Sequence, residues 1–210
     1  MTAIDFLRHG RTVAEGRLLG RTDAPLADAG LAAVTAQISG RSWDAIVASP
    51  LARAQQTAAL AAQVSGLAVK SDPAWREIDF GEWDGQALAD LANDARFAAF
   101  QADPEINAPP GGESLLDVRR RVQVALRDLI STGQKGVLVA AHGGTIRMAL
   151  SVLLAIPLQR LWAIRLSHAT RVSVRIGWTD AHGLWGELIE IVQPPGEGKA
   201  GEGKAGEGKA

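Results

Sequence analysis

The chain has 210 residues, of which 47% are hydrophobic and 21% charged, with a formal net charge of -1; that suits one well-cored domain and excludes wholesale disorder. There is no basic stripe for a nucleic-acid partner, and the lack of cysteine removes disulfides, thiolate zinc sites and thiol nucleophiles. No basic leader opens the chain and no apolar run reaches the roughly 20 residues of a bilayer span, so the expectation is a cytoplasmic protein without a membrane partner.

Ala3-Leu7 reads as the first strand, residues 28-39 as a helix, Asp44-Ala48 as a strand and Leu51-Val64 as an alanine-rich helix ending before Gly66. Leu67-Lys70 follows as a short strand. In residues 86-102 the apolar positions Leu88, Leu91, Phe97 and Phe100 are interrupted by Asn93-Asp94, which predicts two short helices in an excursion from the sheet. PPGGES, Pro109 to Ser114, breaks the chain and starts a long helix, Leu115-Ile130, with its acidic residues placed early as the helix dipole prefers. Gly136-Ala141 (GVLVAA) is continuously apolar, as in a central strand buried on both faces. Residues 144-154 form the next helix, and 162-166, 170-177 and 184-192 alternate as edge strands do. Strands alternating with helices predict an α/β fold, a three-layer α/β/α sandwich with a mostly parallel, mixed sheet. One domain is expected over residues 1-195. From Gly196 the repeat GEGKA runs three times with no large apolar side chain to bury, so 196-210 is expected to be a flexible tail.

Two of the predicted strands end in histidine. The first leads into Arg8-His9-Gly10, and GVLVAA leads into His142-Gly143-Gly144-Thr145 before a helix. In open α/β sheets ligands bind at the carboxyl ends of strands; the glycines allow close backbone approach, and the helix N-terminus behind His142 favours an anion. SPLARAQQT, Ser49 to Thr57, brings Arg53 to the same edge, and REIDFGEW, Arg76 to Trp83, supplies carboxylates.

RHG with a later HGG, SPLARAQQTA and REIDFGEWDG, in this order, resemble the histidine phosphatase (phosphoglycerate-mutase-like) superfamily over nearly all of residues 3-192. The resemblance implies a phosphohistidine mechanism carried by His9, with Glu77 matching the proton donor and Glu82 the alternative. The chemistry agrees. A phosphate monoester needs a neutral, oriented nitrogen for attack and cations on the nonbridging oxygens. An imidazole that directs one N-H at a carbonyl has its other nitrogen free to take a phosphoryl group. Arg8 and Arg53 offer planar forks to phosphate beside Gly143, and His142 is expected as the second catalytic imidazole, donating a hydrogen bond to the same oxygens. Arginine and histidine stand where many phosphatases place a divalent ion, so neither a metal nor another cofactor is expected.

Departures from the family pattern fall at Arg11 and Glu15, read with Thr12 as groups that support the site or touch substrate; Glu15 has Arg11 or Arg17 as a partner. His168 and His182 read as an edge cap and a turn residue, and Arg119-Arg120-Arg121 as a solvated helix face. Phe80 and Trp83 adjoin the acid motif and are candidates for the leaving-group pocket. From Ile78 to Gly112 the single basic residue is Arg96, so a phosphoglycerate carboxylate would be held poorly there, and Leu19 stands where a mutase usually has a hydroxyl residue. The expectation is therefore a phosphatase acting on a small-molecule ester, similar to α-ribazole-phosphate or broad-specificity phosphatases. A cofactor-dependent phosphoglycerate mutase is the alternative and a silent phosphoryl-binding module the third reading; the oligomeric state is left open.

Overall fold

The computed structural model describes residues 1-181 and 183-194; the turn expected at His182 and the GEGKA segment at 196-210 lie outside the described residues. The strands are β1 (Thr2–Arg8), β2 (Ala45–Ala48), β3 (Val69–Ser71), β4 (Gly136–Ala141), β5 (Arg171–Thr179) and β6 (Gly183–Val192). They form one sheet in the order β3-β2-β4-β1-β5-β6. The pairings from β3 to β1 are parallel, and β5 and β6 are added antiparallel.

Parallel neighbours require crossovers, and helices supply them on both faces. Helices α1 (Asp28–Ile38) and α2 (Ala52–Ser65) cover one face, packing on Leu7, Ile46, Ala48, Leu138 and Ala140. The side of α2 turned to the sheet carries Ala54, Ala58 and Ala61, each fully buried, so small side chains set a close approach. The other face, with Ile4, Phe6, Val137 and Val139, is covered by α5 (Leu115–Ser131) and α6 (Gly143–Leu153). In α5 the buried residues Leu115, Val118, Val122, Ala125, Leu126 and Leu129 recur at helical spacing, and Ser114 caps the helix by accepting from the Asp117 N–H. The excursion holds the two short helices expected, α3 (Leu88–Leu91) and α4 (Ala95–Ala102), separated where Asp94 caps α4. Among the described residues no helix is long and apolar enough to cross a membrane.

Two expectations are corrected. Residues 162-166 form no strand: Leu158–Ala163 coils as a short 3-10 turn. The carbonyls of Ile164, Arg165 and Leu166 accept from the side chains of Arg147, Gln193 and Arg8, so side chains occupy the acceptors a neighbouring strand would use. β5 is interior, paired on both sides, because its Val172, Val174 and Ile176 belong to the same core as Ile4 and Phe6.

Candidate active site

β1 and β4 lie side by side with Arg8 opposite Ala141, so the next residue of each strand, His9 and His142, leaves the sheet at the same edge. The His9 N–H donates to the Ala141 carbonyl (3.0 Å), and the two imidazole centroids are 5.1 Å apart. The turn after His9 is pressed against the start of α1: a Cβ on Gly10 would lie 2.4 Å from the Gly30 carbonyl oxygen, and one on Gly30 would lie 2.2 Å from that of Arg11. His9 is 5% exposed. Its Nδ1 is 2.8 Å from the Gly10 carbonyl oxygen; a carbonyl only accepts, so Nδ1 carries the proton and Nε2 the lone pair. Burial first, then His142, Arg8, Arg53 and His168, hold the His9 pKa well below its ordinary value, so the ring is neutral at physiological pH.

His142 is fixed from behind. The Arg53 Nε–H donates to its Nδ1 (3.2 Å), which leaves the Nε2–H to donate to Ser49 Oγ (2.8 Å) rather than to the phosphate oxygens it was expected to serve. Burial, with Arg53 next, pushes the His142 pKa well down. Arg53 is fully buried, and its other donors go to the carbonyls of Thr22 (2.9 Å), Leu19 (3.1 Å) and Gly20 (2.9 Å). That loop is held by Asp84, which accepts from the Gly20 and Thr22 N–H groups at 2.7 Å each. The fork expected to face phosphate is thus occupied by backbone, and Arg53 meets the site through His142.

Glu77 sits where the helix dipole favours an anion. Its Oε2 accepts from the Gly144 N–H (3.0 Å) and its Oε1 from those of Ile78 (3.0 Å) and Thr145 (3.1 Å), so the α6 N-terminus, expected to hold phosphate, holds this carboxylate. A Cβ on Gly144 would lie 2.5 Å from Glu77 Oε1. Arg121, read from sequence as solvated, is turned inward: its Nε donates to Glu113 (2.8 Å), and its Nη groups donate to the carbonyls of Ala74, Arg76 and Glu77 (2.6, 2.9 and 3.3 Å). It clamps the segment that delivers Glu77. PPGGES closes on the same loop, with Glu82 N–H donating to the Pro110 carbonyl and Glu113 N–H to that of Asp79, both at 2.9 Å. Glu82, the alternative acid, is displaced: its side chain is 63% exposed, pairs with Arg96 at 3.3 Å and lies outside the cavity.

A cavity of about 450 Å³ opens on His9, Arg8 and Glu77. Arg8 Nη1 donates to the Leu166 carbonyl (2.5 Å), and its Nη2 lies 3.0 Å from His168 Nε2, which must therefore accept. His168, expected to be an edge cap, lines the cavity with its ring 5.4 Å from that of His9; burial, then Arg8, lower its pKa to about 3. Its sequence neighbourhood carries no motif. Thr12 and Gly143 also line the cavity, as do Arg11 and Glu15, which pair with each other at 3.2 Å. Phe80, Leu88, Phe97 and Trp162 form an apolar wall, whereas Trp83 lies behind it, 1% exposed and stacked edge-on against Phe97 at 5.2 Å. Arg147, which the sequence reading passed over, reaches the cavity from one turn into α6. Among the described residues no cluster of three or more His, Asp or Glu side chains is arranged to hold a metal ion.

The chain is similar to several known proteins. A protein from Yersinia pestis named "Probable phosphoglycerate mutase GpmB" is 30% identical over 179 residues, 81% of this chain and 83% of that protein. The mycobacterial glucosyl-3-phosphoglycerate phosphatase superposes with a TM-score of 0.80 at 29% identity, covering 90% of this chain and 97% of that one. The α-ribazole phosphatase of Shigella flexneri, at 23% identity, shares the fold with a TM-score of 0.76 over 90% of this chain and 95% of its own. The sequence model of the Histidine phosphatase superfamily (branch 1) matches residues 4–184; the chain belongs to that superfamily.

Proposed function

We propose that the chain hydrolyses phosphate monoesters of small molecules through a phosphohistidine at His9, with Glu77 as proton donor. The observation that carries this is the His9 imidazole: neutral, tethered through Nδ1 to the Gly10 carbonyl, and sharing one cavity with Arg8 and Glu77. In the first step Nε2 bonds to phosphorus as the ester P–O bond breaks, and the departing oxygen takes a proton from the Glu77 carboxyl group. In the second, water gives a proton back to Glu77 while its oxygen displaces His9 from phosphorus, releasing phosphate. Arg8, oriented by His168 and Leu166, balances charge on the nonbridging oxygens. His142, held by Arg53 and Ser49, walls the nucleophile from behind. No step calls on a metal ion, so chelator is expected to leave turnover intact.

Hydrolysis is favoured over phosphoglycerate isomerisation by the character of the excursion. Its single basic residue, Arg96, is engaged by Glu82 and Asp94 outside the cavity, and the apolar wall suits a leaving group larger than a three-carbon acid. α-Ribazole 5′-phosphate and a broad range of esters fit that description. Labelled phosphate is expected to be trapped on the protein in acid-labile, base-stable form and to be lost in His9→Ala; trapping by that variant ends the proposal. Side-by-side assay of p-nitrophenyl phosphate, α-ribazole 5′-phosphate and 3-phosphoglycerate separates the readings. Transfer to phosphoglycerate outrunning hydrolysis selects the mutase, and silence on the whole panel selects a binding module.

A further inference from the structure

A phosphoryl group in transit presents three nonbridging oxygens around phosphorus, and donors already in place serve them best. Of the groups expected there, two are engaged elsewhere in the fold: the Arg53 fork by the carbonyls of Leu19, Gly20 and Thr22, and both ring nitrogens of His142 by Arg53 and Ser49. Arg8 and Gly143 remain on the cavity lining. β1 lies between β4 and β5, however, so His9 has a second imidazole neighbour across from His142. The His168 ring is 5.4 Å from that of His9, against 5.1 Å for His142.

His168 is placed as firmly as the nucleophile. Beyond the rung of Leu7 and Arg171, the Arg8 N–H donates to the Thr170 carbonyl and the Ala169 N–H to the His9 carbonyl, both at 3.0 Å, so the turn that carries His168 is stitched to the turn that carries His9. Ala169, fully buried, takes a φ of 57°, a left-handed conformation that side-chain-bearing residues rarely adopt; residues strained in this way cluster at functional turns. Arg8 Nη2 meets His168 Nε2 at 3.0 Å. A guanidinium only donates, so Nε2 holds the lone pair and, in the neutral ring that burial and Arg8 enforce, Nδ1 holds the proton. Among the described residues no hydrogen-bond acceptor meets Nδ1, and His168 lines the cavity. We propose that His168 is a catalytic residue, its Nδ1–H donating to a nonbridging oxygen of the phosphoryl group as it passes to and from His9, the task expected of His142. The proposal rests on the phosphatase reading above. Arg8 fixes the tautomer that makes Nδ1 a donor and, by drawing on the Nε2 lone pair, strengthens that donor.

The amide of asparagine reaches the position of an imidazole Nδ1 and that of glutamine the position of Nε2, so two substitutions separate the roles of the nitrogens. His168→Asn keeps a donor toward the phosphoryl group and loses the acceptor for Arg8; His168→Gln keeps the acceptor and loses the donor. The substrate is p-nitrophenyl phosphate, whose leaving group departs readily as the anion, and the inhibitor is orthovanadate, a mimic of the phosphoryl group in transit. His168→Gln is expected to lower kcat/KM and to weaken orthovanadate inhibition by about tenfold or more beyond the effect of His168→Asn, the lower end of what one lost oxyanion donor costs. A smaller gap, or a gap in the other direction, means that His168 acts through Arg8 or not at all and overturns the proposal. Nitrogen NMR of wild type carrying isotope-labelled histidine needs neither variant: Nδ1 of His168 is expected to be the protonated nitrogen and to shift when orthovanadate is added. An Nε2–H tautomer, or an Nδ1 indifferent to orthovanadate, overturns the proposal as well. If wild type hydrolyses no ester, the phosphatase reading fails, and the same spectra with inorganic phosphate decide: a shift at Nδ1 upholds His168 as a phosphate donor, and none overturns it.

Discussion

The cavity has a floor and a rim, and they are built differently. On the floor, His9, His142, Arg53 and Glu77 are each no more than 8% exposed, and backbone carbonyls or N–H groups hold three of them. On the rim, Arg11, Glu15, Arg17 and Leu88 are solvated, Arg11 pairing with Glu15 and Arg17 donating to the Gly85 carbonyl. Floor groups are held by atoms that cannot move without moving a strand or a helix end, whereas rim groups move with their own rotamers. The chemistry is therefore tied to the fold and the selectivity is not.

The sharpest way to break the distinction is at Gly144. In Gly144→Ala the new methyl meets Glu77 Oε1 at 2.5 Å and Ile78 Cδ1 at 2.6 Å, so the carboxylate must shift away from the N–H groups of Gly144 and Thr145 that hold it. The expected cost is about 1-3 kcal/mol of stability and a fall in kcat of roughly a hundredfold or more as the proposed proton donor is displaced; steady-state kinetics with a denaturant melt measures both, and unchanged kcat would mean Glu77 is not the acid. Next is pH. His9, His142 and His168 are held neutral by burial, with pKa values below the usual 6.5 and about 3 for His168. The unfolded chain therefore binds protons that the folded chain refuses, and stability falls as pH drops below about 6.5, down toward 3 for His168. Each histidine contributes up to about 1.4 kcal/mol per pH unit. Denaturant midpoints across pH 7 to 5 check the slope, and a flat profile contradicts the neutral floor. The smallest effect is expected on the rim: Leu88 lines the cavity at 45% exposure, so Leu88→Ala should shift stability by about 0.5 kcal/mol or less and raise KM a few-fold for apolar esters alone.

The floor is also the part that sequence makes legible. His9 and His142 follow strands whose apolar patterns mark them, and the glycines beside them are adjacent in the chain, so short-range signals suffice. Arg121 was misread because its helix spacing places it next to solvated Arg120; that it turns to the carbonyls of Ala74, Arg76 and Glu77 depends on packing some 45 residues away. His168 and Arg147 share that difficulty: each gains its meaning from a partner, Arg8 or Ile164, that only the folded chain brings near. The alternation of Trp162, Ile164 and Leu166 imitates a strand because a strap over a core also buries every second side chain.

The pairing of β1 with β4 has a consequence for how the protein acquires activity. Because the two imidazoles sit one residue past matched rungs, sliding β4 by a single position would turn its side chains to the opposite face and carry His142 away from His9. Turnover is in this sense an assay of registration: a misthreaded chain of normal compactness and helix content would be silent, and the appearance of activity during refolding would time the moment at which these central strands lock.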